Sequence, residues 1–149
     1  MDDLLLKVED AKVYFPFKEG FRTEYVKAVD GVSFQIKKGE SFGVVGESGC
    51  GKSTTGRAVL GLLKLTGGRV YFKGQDLSSL SPKEMNHMRR NMQIVFQDPF
   101  ASLNPKLKIG EIIAEPLKFH GIKDKKVQQE KVENILKIVG LAPDAAKRY

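Results

Sequence analysis

The stretch SFGVVGESGCGKSTTGRAVLGLL, residues 41–63, decides how this chain reads. Its opening, residues 41–46, is an apolar run with two valines, the pattern of a buried strand in a parallel sheet. Gly46-Glu47-Ser48-Gly49-Cys50-Gly51-Lys52-Ser53 then satisfies G-x-x-x-x-G-K-[ST] at every defined position. Arg57, Ala58, Leu60, Leu62 and Leu63 follow in a segment of helical composition. A glycine-rich loop set between a strand and a helix is the context in which this spelling binds phosphate. An accidental glycine-rich turn is the alternative, and the flanking elements count against it.

The chemistry explains the spelling. A triphosphate tail needs many donors around a concave anion site, and glycines let backbone N–H groups turn inward because no Cβ blocks them. The loop feeds a helix N-terminus, whose N–H groups and partial positive charge add to the attraction. Lys52 is expected to reach the β- and γ-phosphates, the Ser53 hydroxyl to complete a Mg²⁺ shell, and Thr54 to touch the α-phosphate.

Composition bounds the rest. The chain of 149 residues has room for one core and is short of two ordinary domains. With 41% hydrophobic and 29% charged residues it reads as globular and soluble. No apolar run approaches the roughly 20 residues that span a bilayer, and Leu4-Leu5-Leu6, between Asp3 and Lys7, is no signal peptide. The single cysteine, Cys50, excludes an internal disulfide and a cysteine-based metal cluster within this sequence. A reducing, cytoplasmic setting is expected, with Cys50 a small loop residue rather than a nucleophile. The net charge of +7 invites a nucleic-acid reading, but the lysines are dispersed. Pairs such as Arg89-Arg90 and Lys125-Lys126 read as solvated helix faces, and no nucleic-acid-binding motif accompanies them. No direct nucleic-acid partner is expected.

Along the chain, residues 4–15 alternate loosely and predict a strand, and residues 16–24 predict a surface loop. A second strand is expected over residues 32–36, with Val32, Phe34 and Ile36 on one face, and a turn over residues 37–40. Residues 65–69 read as a turn before a strand at Val70-Tyr71-Phe72, and residues 73–76 turn again. Ser81, Pro82 and Glu84 spell a capped helix start running to about Asn91. Gln93-Ile94-Val95-Phe96 reads as another buried strand, ending at Gln97. Residues 98–108 read as loop; Ile109, Ile112, Ile113 and Leu117 then recur at helical spacing, with Pro116 expected to kink the segment. Residues 123–139 predict an amphipathic helix with Val132, Ile135, Leu136 and Val139 on one face, stopped by Gly140.

Taken together, the motif at 46–53, the strand-end Gln97 and the helical region beyond resemble the nucleotide-binding domain of ABC transporters. The fuller resemblance is to the ATP-binding subunits of oligopeptide/dipeptide (and nickel) importers. It rests on Val95-Phe96-Gln97-Asp98-Pro99-Phe100-Ala101-Ser102-Leu103-Asn104-Pro105, on residues 43–53, and on Ala28-Val29-Asp30-Gly31-Val32-Ser33-Phe34. It covers essentially the whole chain. The implied fold is α/β, a P-loop NTPase core with N-terminal β-strands and the start of a helical subdomain. The implied division is 1–98 for the nucleotide-binding core and 99–149 for the beginning of the helical subdomain.

The resemblance also implies residue roles. Phe15 stands where the family stacks an aromatic on adenine, with Tyr14 the neighbouring candidate; the plainer alternative is that both rings pack at a strand end. Gln97 resembles the glutamine that joins the Mg²⁺ shell and couples the site to membrane subunits. The ATP site would then comprise Phe15, Gly46, Glu47, Ser48, Gly49, Cys50, Gly51, Lys52, Ser53 and Thr54, with Ser53 and Gln97 toward Mg²⁺. Leu65-Thr66-Gly67-Gly68-Arg69 resembles the family's signature LSGGQ, but a strand rather than a helix follows, so it reads as a turn.

The family's signature, Walker B strand and switch histidine would follow Tyr149, so the chain reads as the N-terminal part of a larger ATPase. His87 and His120 sit on expected helices and are poor switch candidates. The resemblance implies an ATP-hydrolysing subunit, pairing head to tail with a homologous subunit and docking on transmembrane permease subunits at the cytoplasmic face of the membrane. It would couple ATP hydrolysis to peptide uptake, with this piece binding nucleotide but holding no catalytic residue of its own. A GTPase would need N-K-x-D and D-x-x-G, and neither occurs. A non-transport or regulatory P-loop nucleotide-binding module is the alternative.

Overall fold

The computed structural model describes residues 3–98 and 102–149. The chain divides into two compact units, Met1–Gln93 and Ile94–Tyr149.

The first unit is built on a long hairpin. Strand β1 (Leu4–Glu19) turns at Gly20 and Phe21 into β2 (Arg22–Lys37), and the two pair antiparallel from Leu4 opposite Lys37 to Glu19 opposite Arg22. The loop expected over residues 16–24 is therefore the far end of this hairpin. Its proline and charged residues tolerate extended backbone, because the ribbon there is exposed and pairs only with itself. The alternation of Val32, Phe34 and Ile36 against Ser33 and Gln35 appears as expected, the first three half-buried and the others exposed.

Strand β3 (Gly67–Phe72) adds antiparallel to the other edge of β1 and carries the short β4 (Gln75–Asp76), giving the order β2-β1-β3-β4. Gly67 and Gly68 thus belong to the strand rather than to the turn before it, and Gln75 and Asp76 return as a strand. One side of the sheet is apolar: Leu6, Val8, Ala11, Val70, Phe72 and Leu77 form a buried cluster. Val59, Met85 and Met88, from α1 (Lys52–Val59) and α2 (Pro82–Met88), pack onto it. Further along β1, Val13 and Val29 close over Ala58 of α1. The start of α2 is as spelled: the Ser81 hydroxyl accepts from the Glu84 N–H, the Glu84 carboxylate accepts from the Ser81 N–H, and Pro82 opens the helix. The helix tightens to a 3-10 turn over Arg89–Asn91.

Two expected strands are absent. Residues 41–46 and 93–96 follow no strand pattern, although their composition is that of buried β-structure. Val45 is 95% exposed and Val95 86%. An extended apolar run becomes a strand only when neighbouring backbone supplies its ladder, and among the described residues no segment pairs with either run. Phe42 instead lies flat on Phe34 of β2, ring centroids 4.8 Å apart. The sheet that does form is antiparallel, not the parallel one that the run at 41–46 predicts.

The second unit is helical. α3 (Ile109–Phe119) runs through Pro116, and α4 (Lys125–Ile138) starts at Asp124, whose carboxylate accepts from the N–H groups of Lys126 and Val127. Gly140, at φ 76°, ends it: its N–H donates to the Lys137 carbonyl and that of Leu141 to Leu136. Ala114, Val132, Leu136 and Ala145 form the core, the last from a 3-10 turn over Pro143–Lys147. The expected apolar face of α4 is corrected by this packing. Gln128, Val132 and Leu136 are buried, whereas Ile135 and Val139 are exposed. Gln128 reaches the interior by donating its amide to the Ile122 carbonyl at 2.6 Å. No helix among the described residues is long and apolar enough to cross a membrane.

Candidate functional site

The glycine-rich loop closes on its own lysine. The Lys52 ammonium donates to the carbonyls of Gly46 at 2.8 Å and Glu47 at 2.5 Å and lies 3.5 Å from the Cys50 thiol. The Cys50 N–H returns to the Glu47 carbonyl at 3.4 Å, so residues 46–50 wrap around the ammonium. Gly49 (φ 82°) and Gly51 (φ 93°) both take left-handed backbone. A Cβ on Gly46 would stand 2.6 Å from the Cys50 sulfur, which is why the loop can be this tight.

Gly51 is the N-cap of α1, and with no side chain it leaves that end without a side-chain acceptor. No acidic residue stands in the first turn, so the positive end of the helix is not neutralised locally. Thr55, buried, ties that turn together through its N–H and hydroxyl, both donated to the Gly51 carbonyl at 2.8 and 3.0 Å. Ser53 is exposed at the second helical position, and Thr54 is half-buried beside it. The arrangement collects an ammonium, a hydroxyl and a helix N-terminus at one place, the chemistry that suits a polyphosphate.

The loop is anchored from behind by the hairpin. A Cβ on Gly51 would fall 2.2 Å from the Ala28 carbonyl oxygen, so the loop backbone presses directly on β2. Val13 pairs with Val29 and Tyr14 with Lys27, which leaves Ala28 as an extra, unpaired residue on β2. This is a β-bulge, a device that re-aims backbone beside functional sites. Phe15 is the next residue along β1, paired with Val26 and 43% exposed. Tyr14 is engaged elsewhere: its hydroxyl donates to the Asp30 carboxylate, and the Lys27 ammonium sits 5.4 Å from its ring centre.

Phe15 and residues 46–54 therefore fall in one unit, linked through Ala28. Gln97 belongs to the second unit, where it is exposed and outside any strand, and residues 99–101 of the run after it lie outside the described residues. Among the described residues no group of three or more His, Cys, Asp or Glu side chains could hold a metal ion. A Mg²⁺ here would depend on the Ser53 hydroxyl together with phosphate oxygens. Sequence reasoning missed Ala28, Thr55 and the Tyr14–Asp30 bond. Thr55 lies two residues past the motif, but the other contacts depend on hairpin register, which carries no local signal.

The chain belongs to the ABC transporter family, whose model matches residues 29–149. It is 50% identical over 151 residues to the oligopeptide transport ATP-binding protein AppF of Bacillus subtilis (strain 168), covering 99% of this chain and 46% of that protein. Against the oligopeptide transport ATP-binding protein OppF of Escherichia coli (strain K12) the figures are 45% over 152 residues, 98% and 46%. The glutathione import ATP-binding protein GsiA of the same strain is 45% identical over 148 residues, with 97% of this chain and 24% of that protein covered. The chain spans about half the length of the first two relatives.

Among solved structures, the chain resembles the ATP-binding cassette MJ0796, described as dimeric and bound to ADP and Pi in a post-hydrolysis state. The TM-score is 0.74 at 29% identity, over 97% of this chain and 61% of that one. The cbiO1 protein of Clostridium perfringens, part of an ABC transporter complex, matches with a TM-score of 0.71 at 27% identity, over 99% of this chain and 54% of that one. The fold is that of the α/β P-loop nucleotide-binding domain of this family.

Proposed function

We propose that this chain is the nucleotide-binding part of an ABC importer's ATP-binding subunit, which couples ATP binding and hydrolysis to the uptake of oligopeptides. The observation that carries the reading is the closed loop around Lys52, seated on the N-terminus of α1 and backed by Ala28. The family membership and the names of the relatives support the transport role. In this reading, residues 46–54 bind the phosphates, with the Lys52 ammonium exchanging its carbonyl partners for phosphate oxygens. Ser53 and Gln97 serve Mg²⁺, and Phe15 stacks on adenine. Residues 1–98 are the nucleotide-binding core and 99–149 the beginning of the helical subdomain. The partners are a homologous subunit, paired head to tail, and membrane permease subunits, which place the protein at the cytoplasmic face.

Calorimetric titration of the full chain tests the reading. Lys52→Ala removes a charge-assisted contact worth about 1.5–3 kcal/mol and is expected to lower ATP affinity about ten- to a hundredfold. Phe15→Ala is expected to weaken ATP and GTP alike, by about 1–3 kcal/mol, because every base has a π-face. Inorganic tripolyphosphate binding should change little in that variant. Unaltered ATP affinity in a folded Lys52→Ala protein would refute the phosphate assignment, and a strong preference for one base would refute the stacking assignment.

A further inference from the structure

We propose that Tyr14, Lys27 and Asp30 act as a positioning clamp that holds the bulge at Ala28, and so sets the spacing between the base side and the phosphate side of the nucleotide site. The inference rests on the nucleotide reading and adds to it three residues that touch neither base nor phosphate. Tyr14 and Lys27 are directly paired across the hairpin, and Asp30 pairs with Lys12, so alternation puts all three on one face of the ribbon. That face is opposite Val13, which closes over Ala58 of α1. The Tyr14 hydroxyl donates to one carboxylate oxygen of Asp30, and the Lys27 ammonium donates to the other at 3.3 Å. Lys27 and Asp30 bracket Ala28 and Val29. Their ion pair spans the bulge, and Tyr14 ties it to the neighbouring strand.

The consequence lies on the other face. The Ala28 carbonyl presses on Gly51 at the start of α1, while Phe15 stands one residue beyond Tyr14 on β1. A bulge is a place where a strand can slip or relax, since its extra residue has no ladder partner. With the clamp closed, Phe15 and Gly51 hold one relative position, and a ligand that uses both gains from preorganisation. With the clamp open, each half still binds its own part of the ligand, but the linked gain is lost. The electrostatics agree with a closed clamp. The Tyr14 hydroxyl bond, then the Lys27 bond and charge, hold the Asp30 carboxyl below the usual carboxylate range, and the same bond to Asp30 pushes the Tyr14 hydroxyl up. Lys27 and Asp30 are exposed and Tyr14 is half-buried, so the share of their ion pair in global stability is small. Their effect should appear in ligand preference.

The test compares ATP with inorganic tripolyphosphate by calorimetry on the full chain, with Lys52→Ala in parallel. Tyr14→Phe keeps the ring and removes the hydroxyl. It should lower ATP affinity about three- to tenfold and leave tripolyphosphate affinity within about twofold. Asp30→Ala should do the same, whereas Asp30→Asn keeps an acceptor for the Tyr14 hydroxyl and should recover most of the ATP affinity. If Tyr14→Phe does not fold, Asp30→Ala against Asp30→Asn carries the same comparison. An equal fall for both ligands would mean general loosening and would overturn the clamp. Undiminished ATP affinity in Tyr14→Phe and Asp30→Ala, with Lys52→Ala weakening both ligands, overturns the clamp and leaves the nucleotide reading standing. Undiminished affinity in Lys52→Ala overturns both.

Discussion

Gly51 carries two constraints at once: φ at 93° and a neighbouring carbonyl that leaves no room for a Cβ. The motif spells this glycine, but only the packed hairpin shows that Ala28 is what a side chain would strike. The obstacle is backbone, which cannot rotate away as a side chain can. Gly51→Ala is therefore expected to cost at least about 1–2 kcal/mol from the left-handed backbone alone, with further loss from the contact. Thermal melting should fall accordingly, and ATP binding with it. A variant melting like the parent would mean that the loop can leave β2 without penalty. Lys52 shows the other side of residue-scale reading. Its proposed role follows from chemistry and spacing, whereas its partners, the Gly46 and Glu47 carbonyls, follow from how the loop curls.

At the scale of elements, the most local signals read most truly. The cap of α2 is written in four consecutive residues and forms as written, because each bond closes within one turn. Its electrostatics give a pH prediction. Hydrogen bonds from the Ser81 hydroxyl and then its backbone N–H hold the Glu84 carboxyl below its ordinary value of 4.5. A carboxyl depressed in the folded state stabilises above its unfolded pKa, and that contribution is lost as the pH falls through the folded value. The melting temperature of the parent should accordingly drop more steeply below about pH 4.5 than that of Glu84→Gln, which cannot titrate. Parallel curves would show that the cap contributes nothing at this site. The hairpin is less legible. Residues 16–24 have loop composition, yet they pair because β1 and β2 are already zipped from their base. The face of α4 departs from its expected one for a related reason: helical period allows Ile135 and Gln128 equally, and only the position of α3 and the 3-10 turn selects among them.

For the molecule as a whole, the exposed apolar runs carry the main consequence. Val44 and Val45 in the first unit, and Val95 and Phe96 in the second, are exposed, and among the described residues no strand pairs with them. Contiguous exposed apolar surface of this kind favours association. The 149-residue chain should self-associate with rising concentration in sedimentation experiments, and Val45→Thr or Val95→Thr should weaken that by up to about tenfold in apparent dissociation constant. Monomeric behaviour at high concentration would contradict it. The same runs mark the boundary between the two kinds of information. The sequence by itself determined the glycine-rich loop before α1, the Ser81 cap, the Gly140 stop and the family, since each is written in adjacent residues. Only the tertiary structure decided that residues 41–46 and 93–96 are not strands, that Ala28 backs Gly51, and that Tyr14 turns to Asp30. Those outcomes depend on which backbone groups find partners across the sheet, and partnership between distant segments is a property of the assembled chain.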